Sequence, residues 1–269
     1  MSDQQFETIE GRADYHAPRL LRRTAASAAA FLLPHLGPGM GVLDCGCGPG
    51  SITIGLAEAV APGEVVGVDP DARRVDAARP VAAERSVTNV RFEQAGAHSL
   101  PFEDASFDAA LMHAVSEHIA DPVSAYQEVR RVLKPGGVFG VRTAEHGAAL
   151  MWPPPVAEPG IGDLMRRRHA LHGQNLDIGR SLRALLRAAG FSRVTGSATV
   201  ETIGTADEAR TYAADALRLV SDSPAFQEIL AQGWIDSSHH ERLKEVRAWG
   251  EHPDAFRAIT WCEALGWAD

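Results

Sequence analysis

Short β-branched and aliphatic runs alternate along the chain with stretches rich in Ala, Arg, Glu and Leu. That alternation is the pattern of a parallel sheet covered by helices. Residues 17–36 read as an amphipathic helix, followed by the turn Gly37-Pro38-Gly39. Residues 41–45 (GVLDC) predict a short buried strand, and residues 51–60 the helix after it. Residues 64–69 (EVVGVD) predict a second strand, followed by a helix from Asp71 in which Pro80 predicts a kink or an early end. Residues 90–93 and 107–113 (FDAALMH) predict the third and fourth strands. Residues 122–133 predict a helix with proline in its first turn, where the missing N–H costs nothing. Lys134-Pro135-Gly136-Gly137 then turns into a fifth strand over 138–142, after which the regularity lapses.

Residues 144–176 hold Trp152-Pro153-Pro154-Pro155 and a basic helical patch over 165–172. Regular structure resumes with a helix over 178–189, closed by Gly190, and a strand over 191–199. Residues 205–250 predict helix broken near Pro224 and Gly233, and residues 255–267 a terminal strand. No internal repeat or low-complexity tail is present.

Composition narrows the class. The 269 residues suit one elaborated domain or two small ones, with ample material for a core. Lys and Arg number 26 against 35 Asp and Glu, a formal charge of −9, which argues against a phosphate-backbone partner. Three cysteines make no disulfide framework, and Cys45 and Cys47 share one tight glycine stretch, so a reducing, cytoplasmic setting is expected. The first fifteen residues show neither the basic nor the apolar region of a signal peptide. The longest apolar stretch, residues 25–33, falls short of the roughly 20 residues a membrane span needs.

Gly46-Cys47-Gly48-Pro49-Gly50 follows the first strand and opens a helix, an arrangement that offers backbone N–H groups to an anion. No Gly-Lys-Ser/Thr ends it, so it is not a phosphate-cradling P-loop. The dinucleotide pattern fails as well, because its third glycine would fall at Ser51. Asp44 beside the loop would repel a pyrophosphate and attract a cation, by about 1 kcal/mol in water and severalfold more in a shielded cleft. Asp69, ending the second strand, is placed to accept both hydroxyls of a ribose. A ribose, a carboxylate and a cation together describe S-adenosylmethionine. The plainer alternative is that both aspartates merely cap the helices that follow them.

VLDCGCGPGS, VVGVDPD, LPFEDASFD and RRVLKPGG, in this order and spacing, resemble the class I S-adenosylmethionine-dependent methyltransferases, in the branch related to ubiquinone and menaquinone biosynthesis. The motifs cover residues 40–142, and beyond them the similarity is looser. The resemblance implies an α/β, Rossmann-like sheet of seven strands, six parallel and the last antiparallel, with helices on both faces. It implies methionine-end contacts from Asp44, Gly46, Cys47 and Gly48, and ribose and adenine contacts from Asp69 and Pro70. Relatives usually carry an acidic residue where this chain has Gly96, so the adenine ring is left to the backbone of Ala97 and His98. Ser86 stands where relatives often have glycine. Lys134 lies at the opposite edge of the sheet from the cofactor and is expected to be structural.

Methyl transfer from a sulfonium is an in-line displacement that asks mainly for positioning, worth about 7–11 kcal/mol, with a base adding about 10²–10⁴-fold. Candidates for the chemistry lie at the carboxyl ends of strands four and five. His113 is either a base or packing against the methionine end of the cofactor; Glu117 and His118 begin the next turn, where His118 is either a base or a buried ring bonded to backbone. Glu145 and His146 belong either to the pocket rim or to a solvated loop. His169 and His172 have metal-like spacing but read as surface residues, no metal site is expected, and Arg166, Arg167 and Arg168 read as a solvated face.

The chain therefore divides into an N-terminal helical lid (1–36, with Tyr15 and His16), a cofactor core (37–204) with a substrate-side insertion (144–176), a helical insertion (205–252) and a strand completing the sheet (253–269). The alternative role for the inserted helices is oligomer contact, and the oligomeric state is not fixed by the sequence. The expected activity is methylation of a small molecule. Its rivals are a cyclisation or rearrangement by a cofactor-binding enzyme of the same fold, and a binding protein without turnover.

Overall fold

The computed structural model describes residues 20–154, 160–222, 224–235 and 239–269. Seven strands form one sheet: β1 (Val42–Cys45), β2 (Val65–Asp69), β3 (Val90–Gln94), β4 (Phe107–His113), β5 (Leu133–Trp152), β6 (Arg193–Ile203) and β7 (Phe256–Trp267). Their order is β3-β2-β1-β4-β5-β7-β6. The pairs among β1 to β5 are parallel, and β7 runs antiparallel to both β5 and β6. The fold is thus the α/β, Rossmann-like one expected. Every residue of β1 and β2 is buried, as continuous apolar strands covered on both faces must be.

The helices are α1 (Ala25–Ala28), α2 (Ser51–Val60), α3 (Ala72–Glu84), α4 (Pro122–Val132), α5 (Ile161–Leu171), α6 (Leu182–Ala188), α7 (Ala206–Asp222), α8 (Pro224–Ala231) and α9 (His239–Glu251). One sheet face, with Leu43, Val66, Met112 and Phe139, packs on Tyr126 and Val129 of α4 and Leu182 and Leu186 of α6. The other, with Val42, Val65, Leu111 and Val138, packs on Ala28, Leu32, Leu56 and Val60. Burial of each such Leu, Ile or Val contributes about 1.5–3 kcal/mol, so the layered core gives the cofactor-side loops a rigid base.

Several expected elements take another form. Residues 17–36 are not one helix in their described part: Thr24 caps α1, exchanging bonds with Ser27, and a 3₁₀ turn follows at Leu33–His35. Tyr15 and His16 lie outside the described residues. α3 runs through Pro80 to Glu84, because Val75, Ala78 and Ala82 hold its inner face in the core despite the missing N–H. Ser86, just beyond it, has a φ of 57°, a left-handed conformation that glycine meets without strain.

The chain does not leave the sheet after Arg142: β5 continues to Trp152 alongside β7, with a break in register between Glu145 and Leu150. Glu145 is consequently buried and holds the backbone N–H and guanidinium of Arg180, not a place in a solvated loop. The basic patch is also different from a solvated face. Arg168 and His169 are buried under α8, where Arg168 Nε donates to Glu228 Oε2 at 2.7 Å and His172 Nε2 lies 2.7 Å from Glu228 Oε1.

Lys134 meets Asp108 at 2.8 Å at the amino edge of β5, a half-exposed pair. Lys134→Ala is expected to cost less than about 1 kcal/mol and to leave adenosylhomocysteine affinity unchanged. Thermal denaturation with and without that ligand checks it, and a lost affinity would make Lys134 part of the site. No helix among the described residues is long and apolar enough to cross a membrane.

Candidate active site

The sheet order reverses between β1 and β4, so their carboxyl ends open a crevice of the kind that binds ligands in open α/β sheets. The loop after β1 is tied to the neighbouring strand: the N–H groups of Gly46 and Cys47 both donate to the Val68 carbonyl, at 2.7 and 2.9 Å. Gly46, Gly48 and Gly50 all have positive φ. A Cβ on Gly46 would strike Val115, and one on Gly50 would strike Phe92 and Ala78, whereas one on Gly48 would meet nothing within 4 Å. The loop therefore packs at both ends and opens only at Gly48.

Asp44 and Asp69 flank this opening, and both are buried. Asp44 accepts one hydrogen bond, from the Thr53 hydroxyl at 2.6 Å. Burial pushes its carboxyl up to about 7, against the Thr53 bond and with the charge of Asp69 adding to the rise. A buried acid held near neutrality by want of a counter-charge is a ready partner for a cation. Asp69 accepts from the N–H groups of Gly48 and Asp71, each at 3.0 Å, with the Arg74 guanidinium at 3.7 Å. Burial raises its carboxyl too, while Arg74 and the two N–H groups oppose the rise.

Neither aspartate caps a helix. Gly50 occupies that place for α2 and Asp71 for α3. Thr53 was not singled out from the sequence, although a hydroxyl in the first turn of α2 is within reach of the strand before it. Cys47 is buried, and burial together with the neighbouring aspartates pushes its thiol well up, so it lines the loop as a neutral group.

Just past β3, the Ala95 N–H donates to the Asp69 carbonyl at 3.2 Å and brings residues 96–98 beside β2. The Ser99 N–H closes a turn on the Gly96 carbonyl, the His98 ring lies 3.0 Å from the Asp121 carbonyl, and the Pro70 carbonyl accepts from Gln94. Asp44, Gly46, Cys47, Gly48, Asp69, Pro70, Gly96, Ala97 and His98 thus converge along one edge.

His113 ends β4 two residues beyond the Leu111–Asp44 pairing, which sets it beside the glycine loop. Its ring is 5% exposed, and neither ring nitrogen has a hydrogen-bond partner. Burial, with the charges of Arg23 and Arg142, holds the imidazole well below its usual range, hence neutral. Glu117 is buried in the 3₁₀ turn Ser116–His118, whose Ser116 hydroxyl is 2.7 Å from that of Tyr126. His118 turns away to α5, with its ring 5.4 Å from that of His169. Arg142, Trp261 and Glu263 gather next to His113. The clue in the sequence was a charged residue, Arg142, at the end of a buried strand, which demands an acidic partner such as the Glu263 of the terminal strand.

A methyltransferase-domain model matches residues 36–166. An uncharacterized methyltransferase of Schizosaccharomyces pombe is 34% identical over 188 residues, which cover 66% of this chain and 66%, just under two thirds, of that protein. A probable methyltransferase of Aspergillus luteorubrus is 29% identical over 262 residues, 91% of each chain. The crystal structure of the YcgJ protein from Bacillus subtilis shares the fold, with a TM-score of 0.61 and 23% identity, over 89% of this chain and 97% of that one. With the open loop at Gly48 and the uncompensated acid Asp44 fitting a cationic, ribose-bearing cofactor, residues 36–166 form a methyltransferase domain similar to those of the S-adenosylmethionine-dependent methyltransferases.

Proposed function

We propose that the protein transfers the methyl group of S-adenosylmethionine to a small-molecule substrate. The observation that carries this reading is the pair of buried aspartates flanking Gly48, the open glycine of the Gly46–Gly50 loop, with the unbonded His113 beside them. Bound there, the cofactor supplies an electrophilic methyl group on a sulfonium. Asp44 neutralises positive charge on it and Asp69 accepts from the ribose hydroxyls. Gly46, Cys47 and Gly48 lie along its amino-acid end, while Pro70, Gly96, Ala97 and His98 border the adenine. His113 meets the methionine end as a neutral hydrogen-bonding group.

If the nucleophile must lose a proton, Glu117, buried in the turn after β4, is the candidate base, since His118 faces His169 of α5 and protonation of His113 would add charge beside Arg23 and Arg142. In this reading α5, α7, α8 and α9 act as a roof that keeps water from the reacting atoms.

Incubation with methyl-labelled cofactor and a panel of small phenols, enols, amines and thiols tests the reading. Label in an organic product is the expected result. A rearranged product of unchanged methyl count would replace transfer by a cyclisation, and cofactor binding without any product across the panel would point to a binding protein.

A further inference from the structure

Trp261 lies on β7, outside the stretch that carries the motifs, and its indole is 2% exposed. His113 stacks on it with centroids 5.1 Å apart and planes 19° from parallel. The guanidinium of Arg142 sits 4.3 Å from the indole centroid and that of Arg23 at 5.3 Å. The indole N–H donates to Glu201 Oε2 at 2.8 Å. Arg142 is fixed in turn by Glu263, with Nε 3.1 Å from Oε1, and by the Thr199 hydroxyl at 3.1 Å, while the Ser197 hydroxyl donates to the other oxygen of Glu263. The indole is therefore held at its edge by one acid and on its face by a guanidinium that a second acid has set.

Such clamping exceeds what a packing residue requires. Its product is the orientation of one ring. Stacking fixes the plane of His113 and leaves one donor and one acceptor nitrogen buried without partners, an arrangement that costs free energy until a ligand satisfies them.

We propose that Trp261 is a positioning residue: it fixes the plane of the His113 imidazole so that the ring nitrogens meet polar groups of the cofactor bound over the Gly46–Gly48 loop. The inference rests on the assignment of His113 to the bound cofactor made above. It places a determinant of cofactor binding on the last strand of the sheet, among residues that no cofactor motif includes.

Isothermal titration of adenosylhomocysteine into wild type, His113→Ala, Trp261→Leu, Trp261→Phe and the double variant Trp261→Leu/His113→Ala tests it. His113→Ala is expected to weaken binding about tenfold and Trp261→Leu about fivefold, with Trp261→Phe, which keeps a flat ring, within about twofold of wild type. The double variant is expected to bind no more weakly than His113→Ala alone, since both changes remove one interaction. Unchanged affinity in Trp261→Leu beside a weakened His113→Ala overturns the inference and leaves the His113 assignment standing. Multiplying effects in the double variant also overturn it. Unchanged affinity in His113→Ala removes the assignment and the inference together. Should Trp261→Leu fail to fold, Glu201→Ala on the exposed strand β6 releases the indole edge, and unchanged affinity there overturns the proposal in the same way.

Discussion

Asp69→Ala is expected to abolish the thermal shift that adenosylhomocysteine gives the wild-type protein. In the proposed site the carboxylate buried at the end of β2 takes both ribose hydroxyls, and two hydrogen bonds to a charged group contribute about 1.5–3 kcal/mol each. Their loss weakens binding by about a hundredfold or more. The same change orphans the Gly48 N–H, which the carboxylate holds at 3.0 Å, so the loop loses its shape as well as the ligand its partner. Asp69→Asn separates the two effects. The amide oxygen still receives the Gly48 N–H while its NH2 replaces the oxygen that accepts from Asp71, so the residual loss reports the charge together with one lost acceptor. Titration calorimetry of both variants at fixed pH is the measurement. A thermal shift that survives intact in Asp69→Ala places the ribose elsewhere and dismantles the proposed site.

Asp44 gives the second large effect, visible as a pH dependence. Its carboxyl is raised to about 7 in the protein against 3.8 for an ordinary aspartate. Protonated Asp44 is thus the favoured form in the buried site: its contribution to stability is complete below 3.8 and is lost as the pH rises towards 7. A bound cation reverses the preference, because it pairs with the ionised form. The dissociation constant for S-adenosylmethionine is expected to fall about tenfold between pH 6 and pH 8, as Asp44 no longer has to release a proton on binding. Asp44→Asn removes that slope and weakens binding at pH 8 by about tenfold to a hundredfold, while the amide still accepts from Thr53. Calorimetry in buffers of different ionisation enthalpy reads the proton directly. A wild-type affinity that is flat across this range would contradict a cation beside Asp44.

Both aspartates were legible in the sequence because the signal is local: a buried strand, an acid and a glycine turn lie within a few residues of one another. The same holds for β1 to β4 and their helices, where continuous apolar runs and turn residues mark each boundary. Elements fixed by distant contacts were not legible. The stretch from Ala144 to Trp152 carries Gly, Ala and Met in place of a strand-forming run, and it is a strand because residues 256–267 pair with it. Residues 25–36 have helical composition, yet Leu32 and Phe31 lie against Gly140, and the chain bends to put them there. Local sequence makes Arg168 part of a solvated face and His169 a surface residue, and both are buried because Glu228 and its helix α8 pack over them. Trp261 is the sharpest case. Nothing around it in the chain hints at His113, and only the closed sheet brings the two rings together.

That closure has a consequence for biosynthesis. β6 takes its strand pairing from β7, which the ribosome delivers only after the whole of α7, α8 and α9. A nascent chain that has emerged as far as α9 already has the loop and both aspartates, but β5 is still unpaired on that side and β6 waits alone. Contacts of such long range form late and slowly. The growing chain therefore passes through an interval with an exposed strand edge, ended when residues 256–267 slide between their two neighbours.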